Sequence, residues 1–409
     1  MKMPLRICVL YLVTLSSIDT LATVADEIPV EKQRISDRVL VLNCLSNNVT
    51  AIAAEDGLVV IDTHRSPSLM DTLASYITDT FGRSDFKYVV NTHGHWDHSS
   101  GNQLFGNRTI IGQENCRDYI RQSPTNMRRR RWQQQRQIAR LEERAAEGED
   151  VGGTLLAQRL IRQDLEEGYE PTPPNNTFQD RLSVEAGDVT LELYYCGWAH
   201  TDHDVLVFVP EEKLLFTGDI FCSANSFCFS VNALTDVPKL TAALDDILEN
   251  EPAEITVIPG HGEFLNRDNL QTLRDLLVRK YREVDLQNSA ARLVFELFES
   301  QSSESALEQI KAIDIDGMYV SEEEFHVLGQ RYLGRGKTEE SIAILQLAIA
   351  DHPQSALLLD IVAEAYLKHG DVQSAVQNYE ISLQLEPANR NAEEMLEMLR
   401  AGSEGRESP

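Results

Sequence analysis

The sequence predicts an α/β domain followed by a small all-α module. Two observations carry this. Short Val/Ile/Leu-rich runs alternate with amphipathic helical stretches as far as about residue 299, and beyond residue 320 a helical pattern repeats at a fixed interval with no strand signal. Of the 409 residues, 42% are hydrophobic and 25% charged, which supplies one large core and a smaller one and excludes a disordered or fibrous chain.

The elements follow in order. Lys2 and Arg6 precede an apolar run at 7–15, and small and polar residues lead to Ala22 and Ala25. A basic start, a short apolar segment and small residues at the exit describe a secretory leader, so residues 1–25 read as a signal peptide and the mature chain as periplasmic or secreted. The run is too short to span a bilayer, so no membrane span is expected after leader cleavage. Residues 39–45, 50–53 and 58–62 read as strands separated by Asn and Gly turn residues. Leu69, Leu73, Ile77 and Phe81 recur every fourth residue and mark a helix that Gly82 stops.

Phe86–Val90 is a further strand that runs into a histidine cluster. A polar helical insert occupies about 116–171, with four arginines at 128–131 followed by Trp132 and a Gln-rich run. Strand patterns resume at 189–195, Val205–Val209, 214–217 and 255–258, with helical patterns at 239–248 and from 269 to about 299. These set the first domain at 26–299, a Ser/Glu-rich linker at 300–319 and a helical module at 320–409.

In that module Tyr332 and Tyr366, Gly336 and Gly370, and Pro353 and Pro387 are each 34 residues apart, and Ile342/Val376 and Ile349/Leu383 keep the register. A period of 34 with helices on either side of a Gly turn matches the tetratricopeptide repeat. Two copies and a final helix near 391–400 are few, so the module is expected to lean on the first domain or on another copy of itself.

Six of the ten histidines fall in three short segments. The first is Thr92-His93-Gly94-His95-Trp96-Asp97-His98, the second runs from Gly197 through His200 to Asp204, and the third is Pro259-Gly260-His261-Gly262. Between the last two, an apolar strand ends on Gly218-Asp219. Neutral imidazole and carboxylate suit zinc, and three histidines with an aspartate in six residues are too many for one closed site. Two adjacent sites with an open position for water fit them better.

With these motifs the chain resembles the metallo-β-lactamase fold superfamily over approximately residues 36–290. The resemblance implies a four-layer αββα sandwich with metals at one edge of the two sheets. It implies two Zn2+, the first held by His93, His95 and His200, the second by Asp97, His98 and His261, with Asp219 bridging. Asp62 takes a structural role in that family. The implied reaction is hydrolysis by a metal-bridging hydroxide, with Asp97 as the catalytic residue that orients it and returns a proton to the leaving group. The oxygen-reducing di-iron relatives carry Glu where this chain has His95, whereas a mono-iron thiol dioxygenase relative keeps the motif, so one Fe is the alternative. His64, His326, His352 and His369 read as surface or packing, and His203 as solvated or as a contact behind a ligand.

The bond implied is an ester, thioester, lactone or amide in a small molecule. A β-lactamase proper is one alternative, although the secreted zinc β-lactamases generally lack aspartate at the position of Asp219, while many esterase, thioesterase and lactonase relatives have it. The other is a repeat-based scaffold with a structural metal domain, binding a protein partner or itself through the repeats. With 37 basic and 65 acidic residues the net charge is −28, which repels polyanions and excludes nucleic acid as the expected partner. The insert is locally basic through Arg117, Arg121, 128–131, Arg136, Arg140 and Arg144. It reads as a solvated helix, or as a cap that attracts an anionic substrate or docks on the acidic module. Six scattered cysteines form no CxxC pair, and only Cys222 and Cys228 are close enough in sequence for a local bridge.

Overall fold

The computed structural model describes residues 27–122, 127–250 and 254–404, so the expected leader lies outside it. Four antiparallel strands open the chain: β1 (Val30–Arg34), β2 (Val39–Cys44), β3 (Asn47–Ala54) and β4 (Gly57–Ile61). Helix α1 (Pro67–Phe81) then crosses to β5 (Phe86–Val90), and the short α2 (Trp96–Ser99) precedes β6 (Thr109–Gln113). The insert folds as α3 (Glu114–Arg121), α4 (Met127–Ala146) and α5 (Gly152–Glu167) before β7 (Asn176–Phe178). Together β1 to β7 make one seven-stranded sheet in sequence order, parallel from β4 onward.

The second sheet collects β8 (Arg181–Glu185), β9 (Thr190–Tyr195), β10 (Val205–Val209) and β11 (Leu214–Gly218). A hairpin of β12 (Phe221–Ser223) and β13 (Ser226–Phe227) and helix α6 (Val237–Asn250) lead to β14 (Thr256–Pro259), β15 (Leu265–Asn266) and α7 (Arg267–Tyr281). The order is β15-β14-β11-β10-β9-β8, with β11 and β14 parallel.

Strand β2 shows why the strands read as continuous apolar runs. Successive side chains point to opposite faces. Val39 and Val41 share a buried cluster with Ile52, Leu191, Val207 and Phe216, drawn from both sheets. Leu40 and Leu42 instead meet Leu73 and Ile77 of α1 and Ile161 of α5. In the second sheet Leu206 and Leu215 turn away from the first sheet and meet Leu244 of α6 and Leu273 of α7. Each sheet is therefore covered on both faces, and alternation of apolar with polar residues is lost.

Helix α1 starts and stops where local chemistry dictates. The Ser66 hydroxyl accepts from the Leu69 amide, Pro67 stands at the first turn, and Gly82 closes the helix at φ 65°.

The helical pattern from 269 to 299 is broken in the structure into α7 and α8 (Ala290–Ser300). Ser289 starts the second helix by accepting from the Arg292 amide, while its hydroxyl donates to Glu324. Within 300–319 lies a helix, α9 (Ser303–Ile310), with Ala306 and Ile310 buried. Five helices follow: α10 (Glu322–Gly334), α11 (Thr338–Asp351), α12 (Ala356–His369), α13 (Val372–Leu385) and α14 (Arg390–Glu404). α10 and α12 start 34 residues apart (322 to 356), as do α11 and α13 (338 to 372).

The helical region shares a core with two loops of the sheet domain. Trp198 and Leu234 lie in one buried cluster with Ala291, Phe298, Phe325 and Tyr332. Arg136 of α4 pairs with Glu397 of α14 at 2.9 Å, and Trp132 packs against the cluster around Met395 and Leu396. Among the described residues, no helix is long and apolar enough to cross a membrane.

Candidate metal centre

The parallel strands β4 and β5 in one sheet, and β11 and β14 in the other, end at a common edge. Asp62 follows β4, His93 follows β5, Asp219 follows β11 and His261 follows β14. His95 caps the start of α2, Asp97 and His98 lie within it, and His200 comes from the loop between β9 and β10. Two donor groups result: His93, His95, His200 and Asp219 in one, and Asp97, His98 and His261 in the other, with the donor atoms of each within 4.8 Å of one another.

All seven residues expected from the sequence are thus brought together. His93 Nε2 lies 3.0 Å and His200 Nε2 3.1 Å from His95 Nδ1, while His98 Nε2 and His261 Nε2 are 3.2 Å apart. Asp219 spans both groups. Its Oδ2 is 3.7 Å from His200 Nε2 and 3.4 Å from His261 Nε2, and its Oδ1 is 3.4 Å from His98 Nε2. Asp97 Oδ2 stands 3.3 Å from His261 Nε2.

The ring nitrogens facing away from the cluster are anchored. His98 Nδ1 meets Asp62 Oδ2 at 3.0 Å, His200 Nδ1 meets the Cys228 carbonyl at 3.1 Å, and His261 Nδ1 meets the Ser46 carbonyl at 3.2 Å. Such contacts orient each ring with its other nitrogen toward the cluster. Asp62 also accepts from the Thr92 amide and hydroxyl at 2.8 and 2.7 Å, so one carboxylate sets both the start of the histidine loop and the orientation of His98.

Electrostatics divide the cluster. Burial and neighbouring imidazoles push His93 well below the usual histidine range, burial and His200 push His95 down to about 3, and burial lowers His200 as well. These three are neutral, the state a metal requires. Burial opposes the charged form of His98 and His261 too, but Asp62 and Asp219 hold His98 well above its usual value, and Asp219 and Asp97 raise His261 to about 9. Despite burial, His261 and His98 hold Asp219 far below the carboxylate range. The second group therefore attracts positive charge.

The residues fit a bound metal ion on two further counts. Asp219 Oδ1 is buried with no hydrogen-bond partner, the state of a carboxylate oxygen reserved for a cation. A Cβ on Gly260 would stand 2.4 Å from that oxygen and 2.7 Å from His98 Cε1, so the backbone beside the cluster admits no side chain.

Several contributors carry no local sequence signal. Asn47 Nδ2 donates to the Asp97 carbonyl at 3.1 Å, and Arg65 Nε donates to Asn47 Oδ1 at 3.1 Å. Asn48 Nδ2 donates to the carbonyls of Pro259 and Gly262, tying β3 to the His261 turn. His203 is not solvated but buried, with Nδ1 2.8 Å from Asp202 Oδ1. Asp202 in turn meets Arg331 Nε at 3.2 Å and Arg335, both on or beside α10. His64 is buried too, with Nε2 2.9 Å from the Cys44 carbonyl, a packing role. Cys222 and Cys228 form a disulfide, which holds the segment whose carbonyl meets His200. A cavity of about 860 Å³ opens beside His95 and His200.

Comparison with known proteins identifies a family. The metallo-beta-lactamase superfamily model matches residues 42–278. A metallo-beta-lactamase type 2 of Bacteroides fragilis is 26% identical over 144 residues, covering 33% of this chain and 57% of that protein. One of Bacillus cereus is 28% identical over 124 residues, 30% of this chain and 46% of that protein. The chain thus spans about half the length of these curated relatives. A solved metallo-beta-lactamase from Pontibacter korlensis is 19% identical, with a TM-score of 0.40 over 61% of this chain and 99% of the other. With more than half its length matched by the family model, the chain belongs to the metallo-beta-lactamase superfamily.

Proposed function

We propose that the protein is a dinuclear zinc hydrolase that cleaves an ester, thioester, lactone or amide-type bond in a small molecule. The observation that carries this reading is the pair of donor groups sharing Asp219, whose buried Oδ1 makes no hydrogen bond. His93, His95 and His200 would hold one ion, Asp97, His98 and His261 the other, with Asp219 between. When bound, such ions supply Lewis acidity toward a carbonyl oxygen and acidify water. The chain's own residues do the rest. Asp97, its main chain held by Asn47, orients the attacking water, takes a proton from it and hands that proton to the leaving group. The cavity beside His95 and His200 admits the substrate.

The fold is read as the four-layer αββα sandwich, supported by the clusters that cover both faces of each sheet. The helical region is read as two tetratricopeptide repeats with a closing helix, supported by the 34-residue spacing of helix starts. Export rests on the pattern of residues 1–25.

The names of the curated relatives favour a second reading, β-lactam hydrolysis. Turnover of a panel of 4-nitrophenyl esters, thioesters, lactones and a chromogenic cephalosporin, with and without chelator, tests both. Chelator-sensitive cleavage of the first three classes is expected, cleavage of the cephalosporin alone establishes the second reading, and chelator-insensitive or absent turnover refutes both.

A further inference from the structure

The cavity beside the metal centre is not closed by the sheets. One side carries His95, His200 and Trp198, and the other is walled by the helical region through Val327, Gln330 and Leu333 of α10 and Ile361 of α12. The wall is fixed in place. Arg331 of α10 is 8% exposed, stacks between Trp198 and Phe295 at 4.6 and 4.7 Å, and reaches Asp202 on the His200 loop. The end of α10 sits on α3, since a Cβ on Gly334 would come within 2.9 Å of the Tyr119 ring. Glu324 adds a second tie, accepting from the Ala233 amide at 2.9 Å and from Ser289.

The cavity also contains a cation without a full set of partners. Arg130 of α4 lines it, its guanidinium 5.4 Å from the Trp96 ring in the histidine motif, and its Nη1 is buried with no hydrogen-bond partner. A buried guanidinium nitrogen without an acceptor costs free energy until an anion supplies one. The acid on the facing wall is compensated, because Glu364 lies 3.9 Å from Lys368. Glu323 stands exposed at the rim.

We infer that the helical region is the specificity wall of the active site, and that the substrate is a small amphipathic anion, its carboxylate-like group on Arg130 and its apolar body against Val327 and Ile361. The inference rests on the hydrolytic reading for the site's purpose, but binding tests it separately. The fused helices thereby select the substrate, in addition to any partner they engage.

The probes are 4-phenylbutyrate and its neutral amide, titrated calorimetrically into the metal-loaded full chain. The wild type is expected to prefer the acid over the amide by about tenfold or more, the worth of a charge-assisted hydrogen bond. Arg130→Gln is expected to abolish that preference, and Gln330→Trp, an exposed position on the wall, to weaken both probes at unchanged metal content. Equal binding of acid and amide by the wild type, no binding of either, or variants that bind like the wild type would overturn the inference; the last result would mean that the metals alone hold the carboxylate. Turnover of 4-nitrophenyl acetate and 4-nitrophenyl hydrogen succinate gives an independent arm. A fall in the ratio of kcat/KM for the succinate to that for the acetate is expected in Arg130→Gln. Absence of turnover with the binding pattern intact would sink the ester-hydrolase reading and leave the wall assignment standing.

Discussion

Replacing Arg331 by Met probes the joint between the sheets and the helical region. The side chain is 8% exposed, its Nε is 3.2 Å from Asp202 Oδ2, and its Nη2 is 3.2 Å from Glu299 Oε1. Removing one member of a buried ion pair costs about 3–5 kcal/mol because the other charge is left unpaired. Arg335 remains beside Asp202, and methionine keeps part of the stacking on Trp198 and Phe295, so the lower end applies, about 3 kcal/mol. Urea unfolding of the full chain, followed by tryptophan fluorescence, reads this as a lower midpoint at unchanged slope. Glu299→Gln is the control: Glu299 is 45% exposed, and its loss is expected to cost within about 0.5 kcal/mol. A loss below about 1 kcal/mol for Arg331→Met, the value of an exposed pair, would refute the claim that this contact is a structural joint. A separate early transition in the wild type would refute the shared core itself.

Other expectations concern the metal centre. Asp62→Asn removes the charge behind His98 and is expected to weaken metal binding about 10–100-fold in a chelator competition; an unchanged constant would show that Asp62 serves the Thr92 turn alone. Gly260→Ala places a methyl against Asp219 Oδ1 and His98 and is expected to lower metal content while leaving circular dichroism intact; full metal occupancy would contradict the crowding. The double variant Cys222→Ser, Cys228→Ser opens a short loop, so the expected stability loss is at most about 2 kcal/mol. Its main effect should be weaker metal binding through the freed Cys228 carbonyl behind His200, and metal affinity equal to the wild type would remove that link.

Legibility from sequence followed the range of the interactions. Helix α1 was legible because its period, its Pro and its Gly82 stop are all local. Phe86–Val90 and Val205–Val209 were legible as apolar runs, being covered on both faces. Strands β1 and β8 carry charged, exposed side chains and hold their places by pairing with β2 and β9, information absent from their own residues. The seven histidine and aspartate donors were legible because each sits at the end of a recognisable strand or in a dense motif. Asn47 and Arg65 were not, since each reaches the site from a distant element through side-chain contacts that leave no pattern in its own segment. The break at Ser289 shows the same limit: a serine in an amphipathic stretch reads as tolerated until Glu324, 35 residues on, takes its hydroxyl.

The most direct test of the metal centre is elemental analysis of the chain, purified without chelator or added metal, beside its Asp219→Asn variant. The account predicts about two zinc ions per chain in the wild type and a loss of at least one in the variant, because Asp219 serves both donor groups. A single iron per chain, or no tightly held metal in the wild type, would contradict it.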